Sequence, residues 1–353
     1  VLDRELHLAQ LLRALESLER WEREEHARLR ALPLALRVAA GVTWAPVRAV
    51  DVTEMGRRVE VVITAETELH EGLGPGEPVR VEKVGTGIGV NGRIDAVDRR
   101  RAVLTLDDLP PDGPLSVTKE PDGQTYSRYR QALRAALAKE TPLVRALLGG
   151  AQTVDPTLPT ITFDDPALNA AQSEAAAAAL NAPHLAFIHG PPGTGKTHVI
   201  TRVLRRLVAD GDKPWALADS NAAVDHLTRT AHAAGLDVVR VGPAGRISSD
   251  VTPLTLDARL LESPLADAIR RLDRELIKLA GDPAPAARAA RRALWVDRDG
   301  LADQARALVL GRAQVIATTF GTLVRRAAEL PQARTAVVDE ATQAIEPAIW
   351  AAV

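Results

Sequence analysis

The amino-acid sequence predicts an α/β fold built on a parallel, doubly wound sheet, with a small β-barrel on two long helices ahead of it. Three observations carry that expectation. A glycine-rich turn, Gly190-Pro191-Pro192-Gly193-Thr194-Gly195-Lys196-Thr197, stands between a short apolar run (Leu185 to Ile188) and a stretch of helical spacing (His198 to Leu204). Another apolar run, Ala336 to Val338, ends in Asp339-Glu340, and carboxylates at the C-terminal end of a parallel strand face the crevice where such sheets bind ligands. Residues 41–117 exchange helical spacing for short strands cut by Gly, Pro and Asp turns.

Taken in order, residues 1–40 open without a glycine from Leu2 to about Leu36. Leucines 8, 11, 15 and 18 followed by Trp21 mark one face of a single long helix whose other face is charged. Residues 41–120 supply the barrel, with strands at Val59–Ile63, Val79–Val81, Gly92–Val97 and Ala102–Leu106 and a hairpin turn at Arg99-Arg100-Arg101. Residues 121–150 form a returning helix, with Tyr126, Tyr129, Leu133, Leu137, Val144 and Leu147 at near-helical intervals until Gly149-Gly150 ends it. The two helices either make an antiparallel stalk that carries the barrel away from the main body or simply pack on the barrel. A linker rich in Pro, Thr and Asp (151–166) leads into the α/β domain, residues 151–353. Its strands are expected at Ala186–Ile188, Trp215–Ala218, Val238–Val241, Val315–Thr318 and Ala336–Val338. An Ala/Arg-rich helical insertion lies between Leu254 and Gly311, near 258–311, interrupted by Pro283 and Pro285.

Bulk properties narrow the class. A chain of 353 residues that is 46% hydrophobic holds two or three packed domains. A net charge of −2 excludes binding nucleic acid through bulk charge alone, though not through a local basic surface. Only 6 of the 44 basic residues are lysines, so phosphate contacts fall mostly to arginine. With no cysteine, disulfides and thiolate zinc sites are excluded, and a reducing interior is the natural setting. The eight histidines show no paired ligand spacing. No run approaches the ~18 apolar residues of a membrane span, and the N-terminus does not read as a leader, so the expectation is a cytoplasmic protein without a membrane partner.

The glycine-rich turn fits G-x-x-x-x-G-K-[ST], in which backbone N–H groups close around phosphate oxygens. Lys196 is placed to reach the β and γ phosphates of a nucleoside triphosphate, and Thr197 to ligate Mg²⁺. The ATP-binding set is Gly190, Pro191, Pro192, Gly193, Thr194, Gly195, Lys196, Thr197 and His198. Asp339 is the second metal residue, and Glu340 orients or deprotonates the attacking water. Ser220-Asn221 caps the helix that contains Val224 and Leu227, and a helix N-terminus is itself a place for phosphate.

The turn alone also suits AAA-type remodelling ATPases, but the neighbouring motifs separate the classes. Leu168-Asn169-Ala170-Ala171-Gln172 precedes it. Ala218-Asp219-Ser220-Asn221-Ala222-Ala223-Val224-Asp225, Val315-Ile316-Ala317-Thr318-Thr319 and Asp339-Glu340-Ala341-Thr342-Gln343 follow. This order closely resembles the superfamily 1B helicases of the up-frameshift, senataxin and immunoglobulin-mu-binding-protein group. The resemblance implies a P-loop NTPase with a RecA-like sheet behind a barrel on a two-helix stalk, using ATP and Mg²⁺. It further implies that Gln172 reads the adenine edge, and that Gln343 contacts the γ-phosphate or the attacking water. Ser220, Asn221, Thr318 and Thr319 then meet single-stranded DNA or RNA. A 5′-to-3′ polarity and a second RecA-like domain, in cis or in trans, also follow from the family, so the chain reads as an N-terminal half that hydrolyses ATP weakly by itself. Asp219 departs from the family, which commonly has proline there; a carboxylate beside a nucleic-acid track repels phosphate. The alternatives are a nucleotide-dependent single-strand binding module with little or no turnover, and an AAA-type remodelling ATPase. The second is disfavoured by Ser220 to Asp225 and by the barrel.

Overall fold

A computed structural model of the protein describes residues 2–55, 58–152, 160–163, 165–279 and 284–353. Helix α1 (Arg4–Ala31) starts where the Asp3 carboxylate accepts the Leu6 N–H at 2.8 Å. The single helix expected as far as Leu36 is two helices. Pro33 lacks an N–H and disfavours helical geometry in the residue before it, so α1 stops at Ala31 and α2 spans Leu34–Ala39. The buried stripe of α1 also differs from the expected one. It runs through Leu8 and Leu15 to Glu19, whose carboxylate takes Arg23 and Arg130, and this leaves Leu18 and Trp21 rotated into solvent at 42% and 59% exposure.

Six strands close a barrel in the order β1-β2-β5-β4-β3-β6. They are β1 (Thr43–Met55), β2 (Arg58–Ala65), β3 (Pro78–Lys83), β4 (Gly89–Asp98), β5 (Arg101–Leu106) and β6 (Leu115–Lys119). Period-two alternation sends Val59, Val61, Ile63, Leu104, Leu106 and Val117 into the interior around Trp44. The expected turn at Arg99-Arg100 joins β4 to β5, with all three arginines of that segment exposed.

The returning helix is likewise two: α3 (Gly123–Ala138), capped by Asp122, and α4 (Pro142–Leu147), opened by Pro142 and capped by Thr141. Contacts between Leu2 and Leu148, Glu19 and Arg130, and Arg30 and Glu120 set α1 and α3 antiparallel. Their shared face does more than pair the helices. Leu8, Leu15, Tyr126, Tyr129 and Leu133 belong to the same core as Leu217, Val241, Ile316, Phe320 and Trp350 of the α/β domain.

That domain runs through α5 (Ala170–Asn181), α6 (Lys196–Ala209), β7 (Trp215–Ala218), α7 (Asn221–Ala233), β8 (Val238–Val241), α8 (Leu256–Leu261), α9 (Ala266–Leu279) and α10 (Pro285–Arg312). It continues with β9 (Val315–Thr319), α11 (Phe320–Arg326), β10 (Ala336–Val338) and α12 (Glu346–Trp350). The sheet is β10-β7-β9-β8, every pair parallel. One expected strand is not there: Leu185–Ile188 joins no ladder. The Gln152 side chain takes both backbone polar groups of Leu185 at 2.8 Å, and Phe187 points out at 81% exposure, so the run is held by an amide rather than by a neighbouring strand. The helical insertion is α8 to α10, with α9 packed along α10 and Pro285 opening α10. Pro283 and half of the expected linker, residues 153–159 and Asp164, lie outside the described residues. No helix among the described residues is long and apolar enough to cross a membrane.

Candidate nucleotide and nucleic-acid site

Three parallel strands end at one edge of the sheet, and each carries candidate residues. Register aligns Val338 with Leu217 and Ala218 with Thr319. Asp339, Ser220 and Thr319 thus leave neighbouring strand ends, and the phosphate loop enters α6 beside them. The loop takes its shape from Gly193 and Gly195, at φ +81° and +82°, a region L side chains rarely adopt. Lys196, the first residue of α6, folds its ammonium back over the loop and donates to the carbonyls of Gly190 (2.9 Å) and Pro191 (3.3 Å). Thr194 Oγ1 donates to Pro191 O at 2.8 Å, and a Cβ on Gly190 would lie 2.7 Å from that hydroxyl.

The Thr197 hydroxyl donates to Asp339 Oδ2 at 3.2 Å, so two residues far apart in sequence put hard oxygens at one point. Asp339 is only 4% exposed, and its other oxygen accepts the Glu340 N–H at 3.0 Å. Glu340 is exposed and sits at φ 51°, ψ 42°, the left-handed region, where a non-glycine residue stores strain. Gln343 is exposed as well, and its backbone N–H donates to Glu340 O at 2.9 Å.

Gln172 occupies the N3 position of α5 in a reciprocal capping box with Asn169, and its Nε2 also donates to Thr194 O at 3.0 Å. His198 turns its ring away from the loop to Ala167 O at 3.2 Å. These contacts tie residues 167–172 to the loop and to α6.

On the other strand ends, Ser220 Oγ accepts the Ala223 N–H at 3.1 Å, and Ser220 itself is exposed. Asn221 Oδ1 accepts from Arg240 at 2.8 Å. The Thr318 side chain is buried, its hydroxyl spent on Val241 O at 2.8 Å; Thr319 is buried as well, at 7% exposure, where it caps α11 and reaches Thr322 Oγ1 at 3.1 Å. Sequence reasoning missed Arg240. It is 0% exposed on β8, paired with Asp225 at 2.8 Å, and burial holds its pKa below the ordinary arginine value. Asp225 also accepts the N–H (2.8 Å) and hydroxyl (2.6 Å) of Ser248, so one buried charge pair fixes both the start of α7 and the 243–250 loop. The available signal was a lone arginine inside the apolar run Val238-Val239-Arg240-Val241, which calls for a buried acid.

A phosphate loop opening a helix beside an acidic strand end defines the P-loop NTPase class. Residues 167–284 match the AAA domain family. The chain is 33% identical over 162 residues to the DNA-binding protein SMUBP-2 of Rattus norvegicus, covering 44% of this chain and 16% of that protein. The DNA polymerase alpha-associated DNA helicase A of Schizosaccharomyces pombe is 26% identical over 285 residues, 75% of this chain and 43% of that protein. The ATP-dependent helicase upf1 of the same yeast is 34% identical over 191 residues, 52% of this chain and 20% of that protein. Within the P-loop NTPases, the chain is therefore similar to the superfamily 1 helicases of the up-frameshift, senataxin and immunoglobulin-mu-binding-protein group. It spans between 16% and 43% of the length of these relatives.

Proposed function

We propose that this chain works as part of an ATP-dependent nucleic-acid helicase or translocase, moving 5′ to 3′ as the family does. Residues 1–40 and 121–150 form the stalk, 41–120 the barrel and 151–353 a RecA-like ATPase domain, in a cytoplasmic protein. The carrying observation is that the Thr197–Asp339 pair and the Ser220 and Thr319 caps sit on neighbouring ends of one sheet.

The residues present fit Mg²⁺: a hydroxyl and a buried carboxylate, both hard oxygens, meet at 3.2 Å, and Mg²⁺ is commonly held by one or two such groups together with phosphate oxygens and water. When bound there it neutralises charge on the β and γ phosphates. Lys196 leaves the Gly190 and Pro191 carbonyls for the phosphates, a short move because its ammonium already lies over the loop. Glu340, exposed and with no side-chain partner among the described residues, accepts a proton from the attacking water. Gln343 orients that water or the γ-phosphate. Gln172 presents its remaining N–H and lone pair to adenine while holding the loop through Thr194. Ser220, Asn221 and Thr319 contact phosphates of single-stranded DNA or RNA, and Thr318 supports them from the core.

By the same resemblance a second RecA-like domain, in cis or in trans, supplies an arginine to the transition state, a contribution of ~10³ to 10⁵ in rate in comparable sites. The test is steady-state ATP hydrolysis with no strand, with single-stranded DNA and with single-stranded RNA. Slow turnover that rises with a strand is expected. Turnover near ~10 s⁻¹ without any partner domain would contradict the arginine's origin, and strand binding with no turnover at all would favour the binding module.

A further inference from the structure

The elbow between α1 and α2 closes one side of a cavity of about 720 Å³, whose other walls come from β3, β4, β6 and the turn Val84-Gly85-Thr86-Gly87. Pro33 makes the elbow. Two backbone bonds tie it to the barrel, from Val42 N–H to Arg37 O at 3.2 Å and from Lys119 N–H to Val42 O at 3.0 Å. No residue of the nucleotide or strand sites described above lines this cavity.

The charges around it do not cancel. Arg30, Arg37, Arg80 and Lys83 face it, with only Glu82 and Glu120 as acids. Both acids are committed elsewhere: Glu82 Oε1 accepts from Arg30 at 2.7 Å and from Arg80 at 2.8 Å, and Glu120 Oε1 accepts from the other arm of Arg30 at 2.7 Å. Arg37 and Lys83 therefore have no carboxylate among the described residues. Arg37 is poorly held. Its Nε is shielded from solvent without an acceptor, and its Nη1 meets only the Thr118 hydroxyl, at 3.5 Å, which already bonds Thr43 at 3.1 Å. A shielded guanidinium N–H with no acceptor carries a desolvation cost that nothing in the protein offsets.

The turn beside Lys83 adds backbone donors. Gly85 and Gly87, at φ +80° and +70°, have nothing within 4 Å of a built Cβ, and their N–H groups have no acceptor among the described residues. Two uncommitted cations, a fork of N–H donors and bare amides suit a dianion with several acceptor oxygens. A phosphate monoester carries that charge and three such oxygens, whereas a carboxylate carries half the charge. The volume lies in the range of small-molecule sites, ~300–1,000 Å³, so the cavity holds more than a bare phosphate. Its lining has no aromatic ring on which a nucleobase would stack.

We propose that this cavity binds a small phosphomonoester, with the phosphate held by Arg37, Lys83 and the Gly85–Gly87 turn and the polar remainder by the Asn91 amide. Arg37 exchanges its long contact to Thr118 for the phosphate, and the ligand fastens α2 to the turn between β3 and β4. The site is separate from the phosphate loop, so this ligand and ATP bind at the same time.

The experiment is calorimetric titration of the protein with ribose 5-phosphate and with inorganic phosphate at matched ionic strength, in the wild type and in Lys196→Ala, which disables the phosphate loop. One saturable site that survives Lys196→Ala is expected, with ribose 5-phosphate bound more tightly than inorganic phosphate. Equal affinities keep the phosphate site and overturn the hold on the organic part of the ester. Lys83→Gln changes an exposed side chain without a partner, so the fold is kept, and loss of its charge-assisted contact lowers affinity about tenfold. Arg37→Gln with Lys83→Gln removes detectable binding. Glu120→Gln raises affinity, because it takes a negative charge from the cavity and loosens one arm of Arg30. Affinity for a fluorescent ATP analogue stays unchanged in all three. Full binding in the double variant, a weakened site in Glu120→Gln, binding that disappears with Lys196→Ala, or no saturable binding in the wild type overturns the proposal.

Discussion

Replacing Gly195 by alanine tests whether the phosphate loop depends on its link to Gln172. The residue sits at φ +82°, and a Cβ there would approach Gln172 Nε2 to 2.7 Å, the nitrogen that donates to Thr194 O at 3.0 Å. Gly193 provides the matched control, with φ +81° and nothing within 4 Å of a built Cβ. Both substitutions incur the left-handed backbone cost of about 1–2 kcal/mol. Only Gly195→Ala must also displace the amide and lose its bond, adding about 0.5–1.5 kcal/mol. Denaturant midpoints should rank wild type above Gly193→Ala above Gly195→Ala, and affinity for a fluorescent ATP analogue should fall further in Gly195→Ala. Adding Gln172→Ala to Gly195→Ala removes the obstruction, so the double variant should lose less than the sum of the two single variants. Equal losses in the two glycine variants, or strict additivity with Gln172→Ala, would refute the link.

Glu340→Gln should retain ATP affinity while hydrolysis is suppressed, since the amide keeps the shape but accepts no proton; loss of binding instead would make Glu340 a structural residue. Arg240→Met should lower stability by about 3–5 kcal/mol, because it strands the buried Asp225 charge. Arg240→Met with Asp225→Leu should recover much of that, and a single variant as stable as wild type would show that the pair carries no fold. Burial, and after it the Asp219 charge, pushes the Tyr129 phenol up to about 12 from its ordinary 10.0. The folded state therefore holds that proton more tightly, and the contribution is complete below pH 10 and lost as pH climbs from 10 toward 12. Tyr129→Phe should flatten the alkaline decline in stability, leaving the part that comes from Tyr126, which is raised as well; an identical decline in the variant would place its origin elsewhere.

Much of the α/β domain was legible because its strands are short apolar runs, and Trp215–Ala218, Val238–Val241, Val315–Thr318 and Ala336–Val338 all pair as expected. Leu185–Ile188 has the same composition but joins no ladder, since periodicity reports burial tendency and not which partner satisfies the backbone. In the barrel, β1 and β6 escaped notice: Pro46 interrupts the pattern of β1, and Leu115–Lys119 is too brief to display a period. The breaks at Pro33 and Pro142 were readable from proline chemistry, but the leucine and tyrosine spacing on either side concealed them. Motif spacing identified the loop and Asp339, and the structure joins them through Thr197. Arg240 was legible only as a lone arginine in an apolar run; that Asp225 and Asn221 receive it depends on packing between residues distant in sequence.

The central claim is that one sheet edge holds a nucleotide and a nucleic-acid strand on adjacent strand ends. The affinity of the wild-type chain for a labelled single strand, measured against rising concentrations of a Mg²⁺-bound non-hydrolysable ATP analogue, tests it most directly. The account predicts that the analogue shifts strand affinity by the same factor that the strand shifts analogue affinity, as linkage requires. It predicts that the shift vanishes in Lys196→Ala, which still binds the strand. A strand affinity indifferent to nucleotide in the wild-type chain, or an undiminished shift in Lys196→Ala, would contradict it.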